Sequence, residues 1–252
     1  MDQVYIPKNR SGMNTGEYVI ILPLGKRTEE KSIFKPYFYN IKAIEPIKMQ
    51  IIEEVFSMVE REASAENIII TGSFLEQGFK FNDLDILIIN EEKVNTEALK
   101  QKIEKTLGIK AHLIFLDAKT LLSGLSTDPL YSLMLSKCVS KKRITLKANR
   151  KINYKLLDIH LLKSKNLIDN FDLLSGNEKY YLILNVLAIL LFIQDKNLNK
   201  ELINREIEKI FSVNVNKIKE NMLKKERFVK KYKEIYNKTF QLIMESIKNE
   251  QK

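Results

Sequence analysis

Asp83 and Asp85, separated by a single leucine, follow a Gly72-Ser73 pair by about ten residues, and an apolar run, Ile86-Leu87-Ile88-Ile89, follows the second aspartate. Before the glycine stands Ile68-Ile69-Ile70-Thr71, a second run rich in β-branched residues. On a β-strand, residues two apart point to the same face, so the two carboxylates converge on one point. Side by side they repel unless a cation joins them, and Mg²⁺ or Mn²⁺, which take oxygen ligands, would do so. The Gly-Ser turn supplies a complementary feature. Glycine lets backbone approach a phosphate closely, and exposed amides with a serine hydroxyl at a helix start attract an anion. A divalent metal beside a phosphate cradle is the apparatus of phosphoryl or nucleotidyl transfer.

The elements needed to hold these residues can be read from the surrounding pattern. Pro46 suits a first helical turn, and Ile47, Ile51, Val55, Met58 and Val59 recur at helical spacing to about Ala63. Then come a strand over Asn67–Thr71, the Gly72-Ser73 turn, a strand over Leu84–Ile89, a helix near Thr96–Leu107 and a strand over Ile109–Leu116. Asp128-Pro129 supplies an N-cap and a first-turn proline for a helix through Lys137. The middle of the chain is thus an α/β unit of short strands and covering helices, ending near Lys141-Lys142-Arg143. Beyond it the periodicity predicts helices over Leu156–Phe171, Glu178–Gln194 and Lys200–Phe211 and a long last helix from about Asn216, a four-helix arrangement.

With strand, Gly-Ser turn and Asp-x-Asp at this spacing, the segment resembles the polymerase β-type nucleotidyltransferase superfamily. The motif covers Gly72 to Ile89, and the arrangement of elements covers about residues 46 to 143. The resemblance implies that Gly72 and Ser73 contact the triphosphate of an incoming nucleotide and that Asp83 and Asp85 hold the metals. It also implies a third carboxylate on a later strand. The matching stretch here is Lys110-Ala111-His112-Leu113, which puts His112 at that position. A histidine can bind Mn²⁺ or serve as a base when neutral, but it suits Mg²⁺ poorly. Asp117 is an alternative, on the opposite face by strand parity. The helical C-terminal part looks like the domains many such enzymes append for substrate binding.

Composition bounds the partners. Of 252 residues, 1 to 140 carry 17 Lys+Arg and 19 Asp+Glu, while 141 to 252 carry 25 and 13, so the net charge of +10 arises in the C-terminal part. That asymmetry favours an anionic partner, RNA before membrane; the competing reading is a set of solvated lysine-rich helix faces. Lys224, Lys225, Arg227, Lys230, Lys231 and Lys233 of the last helix are the candidate contacts. The single cysteine, Cys138, excludes an internal disulfide framework and a cysteine-cluster zinc site, and it fits a reducing cytoplasm. Cys138 and His160 read as packing residues. The apolar run Tyr180–Ile193 is shorter than the roughly 20 residues a bilayer requires and reads as a core helix.

The N-terminal 43 residues read as a small strand-rich extension, with strands at Val4–Ile6 and Tyr18–Leu24 and an aromatic stretch Phe34, Tyr37, Phe38, Tyr39. Ile6-Pro7-Lys8-Asn9-Arg10 and Gly16-Glu17-Tyr18-Val19 faintly resemble small swapped-hairpin DNA-binding domains. The expected organisation is therefore α+β: an extension over 1–43, a nucleotidyltransferase-type domain with a mixed sheet over 44–143, and a basic helical bundle over 144–252. The expected activity is transfer of a nucleoside monophosphate from a nucleoside triphosphate to an acceptor hydroxyl on RNA, protein or a small molecule, with Mg²⁺ or Mn²⁺. A silent fold that binds nucleotide or RNA is the alternative, and a DNA-binding regulator a more distant one.

Overall fold

The computed structural model describes residues 35–90, 95–145 and 149–250. The N-terminal strands expected at Val4–Ile6 and Tyr18–Leu24, and the hairpin resemblance at Ile6 to Val19, lie outside the described residues. Five strands, β1 (Tyr37–Tyr39), β2 (Asn67–Thr71), β3 (Asp83–Ile89), β4 (Lys110–Leu116) and β5 (Cys138–Ser140), form one sheet in the order β1-β5-β2-β3-β4. β3 pairs antiparallel with β2 and parallel with β4, so the sheet is mixed.

β3 is an interior strand, and its run from Ile86 to Ile89 is buried on both faces, which explains its continuous apolar sequence. Parallel pairing of β3 with β4 demands a crossover, and α2 (Thr96–Leu107) supplies it. The Asn95 side chain caps α2 by accepting from the Ala98 amide, and Gly108, with φ of 66°, ends it in the left-handed conformation. Ile69, Leu87 and Ile89 meet Leu121 and Cys138 in one buried cluster. By strand parity Asp83 and Asp85 share the face of Leu87 and Ile89. Along that face run α3 (Ala118–Thr127), which sequence patterning missed, and α4 (Pro129–Leu135), which ends at Leu135 rather than at Lys137.

α1 (Pro46–Glu62) buries Lys48, Ile52, Val55, Phe56, Met58 and Val59. The apolar stripe is therefore turned by about one position from the expected one, and Ile47 is exposed. The reason is Lys48, a charged residue on the buried side, described below.

The remaining helices are α5 (Tyr154–Ser164), α6 (Asn166–Asp169), α7 (Gly176–Ile193), α8 (Lys200–Phe211), α9 (Val215–Lys219) and α10 (Lys225–Glu250). α7 and α8 match the expected helices; the expected Leu156–Phe171 helix is divided at Lys165 into α5 and α6, and the expected last helix into α9 and α10. α7 starts with a reciprocal cap between Ser175 and Glu178 and is the axis of the second core. It is the one helix among the described residues long and apolar enough to cross a bilayer, and 61% of that window is buried by its neighbours. The last helix was expected as one piece from Asn216. It is broken, because Asn221 takes a left-handed backbone with φ of 62° and its side-chain oxygen accepts from Lys179 Nζ. Helix resumes only at Lys225.

Candidate active site

The C-terminal end of β2 runs into Gly72, whose φ of 84° and ψ of −162° suit glycine alone, and then into a single 3-10 turn over Ser73–Leu75. Thr71 lies opposite Asp85 in the antiparallel register, and its hydroxyl donates to the Met134 carbonyl at 2.8 Å, fixing the strand end against α4. A Cβ placed on Gly72 would overlap Asp85 Oδ2 and lie 3.1 Å from Asp85 Cγ. The turn and the second aspartate are thus in direct backbone-to-carboxylate apposition. Asp83, Asp85 and Ser73 are all partly exposed, so each is reachable from solvent.

Burial, and after it the charge of Asp83, holds the Asp85 carboxyl above the usual aspartate range, while the His112 ring pulls it part of the way back. Two carboxylates that repel each other at a partly exposed strand end fit a hard divalent cation. Among the described residues no three His, Cys, Asp or Glu side chains form a group able to hold a metal by themselves. An ion on this pair would draw its other ligands from substrate phosphates or water, as Mg²⁺ commonly does.

His112 sits opposite Asp85 in the parallel register, with Nδ1 3.3 Å from Asp85 Oδ1 and its side chain 65% exposed. Asp117 is elsewhere. It lies beyond Leu116, whose partner Ile89 is the far end of β3, and it caps α3 by accepting from the Thr120 amide at 2.6 Å. Those bonds to Thr120 hold its carboxyl below the usual range. His160 Nε2 lies 3.0 Å from Asp128 Oδ2 at the junction of α5 and α4, and Asp128 caps α4 through the Leu130 amide. Cys138 is buried in the sheet core, and burial pushes its thiol up to about 12.

Two residues that sequence reasoning missed shape the loop between Ser73 and Asp83. Lys48 is 0% exposed; its Nζ donates to the Glu76 carbonyl at 2.6 Å and the Gly78 carbonyl at 2.7 Å and pairs with Glu45 at 3.0 Å. Phe74, Phe79 and Phe81 surround the ammonium at 5.4 to 5.7 Å from their ring centres. Glu45 also accepts from the Gly78 amide at 2.6 Å, and that bond, followed by the Lys48 contact, lowers its carboxyl to about 2. A lysine at the spacing of Ile52 and Val55 was the available signal.

Glu76 is the second. It pairs with Lys200 at 2.6 Å and lies 3.9 Å from Lys219, so the loop is tied to the first turn of α8 and to α9. Burial works to raise its carboxyl, but the Lys200 hydrogen bond and the charges of Lys200, Lys219 and Lys137 leave it lowered. The loop that leads to Asp83 is therefore clamped from both sides, by α1 and by the helices of the second core.

No family model matches the chain, and no curated protein does so. Among solved structures it is similar to spectinomycin adenyltransferase AAD(9) from Enterococcus faecialis, determined with ATP and spectinomycin. The identity is 15%, the match covers 79% of this chain and 98% of that one, and the TM-score is 0.41. Likeness at this level assigns neither a substrate nor residue roles.

Proposed function

We propose that this chain is a metal-dependent nucleotidyltransferase that moves a nucleoside monophosphate from a nucleoside triphosphate to an acceptor hydroxyl, releasing pyrophosphate. The observation that carries the reading is the apposition of Gly72 and Asp85, which brings a glycine turn against one of two carboxylates on a single strand face. In this reading Asp83 and Asp85 hold Mg²⁺ or Mn²⁺, which would neutralise the triphosphate and the charge that develops on transfer. The amide and hydroxyl of Ser73 bind phosphate oxygens, and Lys48 and Glu76 act as positioning residues by fixing the loop between turn and strand. His112, beside Asp85, accepts the proton of the attacking hydroxyl when its ring is neutral. RNA is the favoured acceptor because of the excess of positive charge after residue 140.

A second reading is favoured by one specific feature: an exposed histidine stands where the resemblance implies a third carboxylate. Under it the fold binds nucleotide or RNA without turnover. Incubation with each labelled nucleoside triphosphate, Mn²⁺ or Mg²⁺, and RNA, protein or small-molecule acceptors separates the two. The transferase reading expects labelled acceptor with release of pyrophosphate, lost in Asp83→Asn with Asp85→Asn. Binding with no transfer to any acceptor class would support the silent fold instead.

A further inference from the structure

Lys137 stands beside the Gly72-Ser73 turn, on the flank of β2 away from Asp83 and Asp85. β5 pairs antiparallel with β2, Ile69 with Ser140 and Ile70 with Val139. Carried further, the same register sets Thr71 opposite Cys138 and Gly72 opposite Lys137. The Thr71 hydroxyl marks that approach, because it donates to the Met134 carbonyl at 2.8 Å and lies 3.5 Å from the Lys137 carbonyl. Along its other edge β2 pairs with β3, where Thr71 lies opposite Asp85. The glycine turn is therefore bracketed, with the carboxylates on one flank and a lysine on the other.

The backbone at Lys137 is held by three elements. Just after β1, Asn40 Nδ2 donates to the Ser136 carbonyl at 2.5 Å; at the end of α4 the Ser136 hydroxyl donates to the Leu133 carbonyl at 2.7 Å; and Thr71 grips the same turn from β2. Lys137 itself is half-buried, between the apolar end of α4 and the fully buried β5. Among the described residues it forms no ion pair. Its charge reaches Glu76, three residues past Ser73, yet that carboxylate is already matched, with Oε1 2.6 Å from Lys200 and Oε2 3.9 Å from Lys219. Lys137 is thus the cation of this group without a counter-ion of its own. A half-buried ammonium left unmatched on a pre-set backbone is the arrangement expected where an anionic ligand completes the charge balance.

We infer that Lys137 is a further phosphate-binding residue of the nucleotide site, its ammonium neutralising triphosphate oxygens at the Gly72-Ser73 turn. An ammonium acts on phosphate as a point charge, so it needs proximity rather than a fixed fork geometry. The phosphate chain would then lie between a metal on Asp83 and Asp85 and the Lys137 cation, with the glycine turn beneath it. The inference rests on the nucleotidyltransferase reading for the presence of a triphosphate, and it assigns a role that neither the Asp-x-Asp pair nor the loop clamp supplies.

The test is calorimetric titration of ATP with Mg²⁺ into the full chain, comparing the parent with Lys137→Gln, Lys137→Arg and Lys142→Gln. The last removes an exposed lysine five residues away and controls for net charge. Lys137→Gln should weaken ATP binding about tenfold or more, the loss expected for a charged hydrogen bond. Lys137→Arg, which keeps the charge, should stay within about threefold of the parent, and Lys142→Gln within about twofold, since an exposed and distant charge is screened. Thermal melting should show all three variants folded. Raising the salt concentration should weaken ATP binding less in Lys137→Gln than in the parent. Parent-like binding by Lys137→Gln would overturn the inference while leaving the transferase reading intact. So would a Lys137→Arg variant as weak as Lys137→Gln, or a Lys142→Gln variant equally weak, because the effect would then not belong to a charge at this position. Absence of ATP binding by the parent would instead remove the nucleotide site and this inference together.

Discussion

Gly72 and Asp85 sit so close across the β2–β3 pair that no side chain fits between them: a Cβ on Gly72 would overlap the carboxylate. Gly78, in the following loop, has a similar φ of 80° but open space around its missing side chain. The two glycines therefore separate backbone strain from steric overlap. Gly78→Ala should cost about 1 kcal/mol, at the low end of the strain range. Gly72→Ala should cost about 3 kcal/mol, at its high end, and displace the Asp85 side chain. Denaturant unfolding of both variants checks this, and equal costs would mean that the apposition is not a constraint.

Asp85 lies above the usual aspartate range because of burial and the Asp83 charge. A carboxyl whose folded value is raised above the ordinary 3.8 opposes folding once ionised. The penalty is absent below the unfolded value, grows as pH rises through the folded one and is then constant. Asp85→Asn should therefore raise the melting temperature at neutral pH and lose that advantage in acid. Melting curves of parent and variant across this range are the check, and a variant less stable than the parent at neutral pH would contradict it.

Lys48 should be among the least replaceable residues in the loop clamp. Lys48→Met leaves the Glu76 and Gly78 carbonyls without their donor and Glu45 without its cation, a loss of about 3 kcal/mol. Hydrogen exchange at the Gly78 amide should accelerate in this variant, because Glu45, which accepts from that amide, loses its anchor. The Glu45 contribution has a defined pH window. With its carboxyl lowered to about 2, its stabilisation is present above the ordinary 4.5 and is lost as pH falls towards 2.

The basic residues at the start of α10 are not equivalent. Lys225 is paired with Asp172, and Lys231 closes the last turn of α8 through the Ile210 carbonyl. Lys231→Gln should cost about 1 kcal/mol, whereas Lys224→Gln and Lys230→Gln should stay within about 0.5 kcal/mol of the parent. Equal stability of all three single variants would show the Lys231 contact to be without effect.

What could be read in advance follows from the range of the interactions involved. The strand over Asn67–Thr71, the Gly72 turn and the strand expected over Leu84–Ile89, which begins at Asp83, were legible because short apolar runs rich in β-branched residues and a glycine between them are local signals. His112 was singled out by the resemblance alone, and the parallel register of β3 with β4 is what sets it opposite Asp85. β5 was not legible: Cys138–Ser140 is three residues long and is a strand only because β1 and β2 flank it. α3 was hidden by Gly124 and a run of Ser and Thr, and is set by the Asp117 cap and by Leu121 against the sheet. The break at Asn221 and the roles of Lys48 and Glu76 depend on partners 28 to 124 residues away. No periodicity reports such contacts.

Calorimetric titration of ATP in the presence of Mg²⁺, then in excess chelator, then with Asp83→Asn and Asp85→Asn combined, tests the central claim most directly. If the two carboxylates and a divalent ion join the triphosphate to the Gly72-Ser73 turn, a binding isotherm appears with Mg²⁺ and disappears both in chelator and in the double variant. Binding of equal affinity under all three conditions would contradict the account, since the triphosphate would then be held without the aspartate pair.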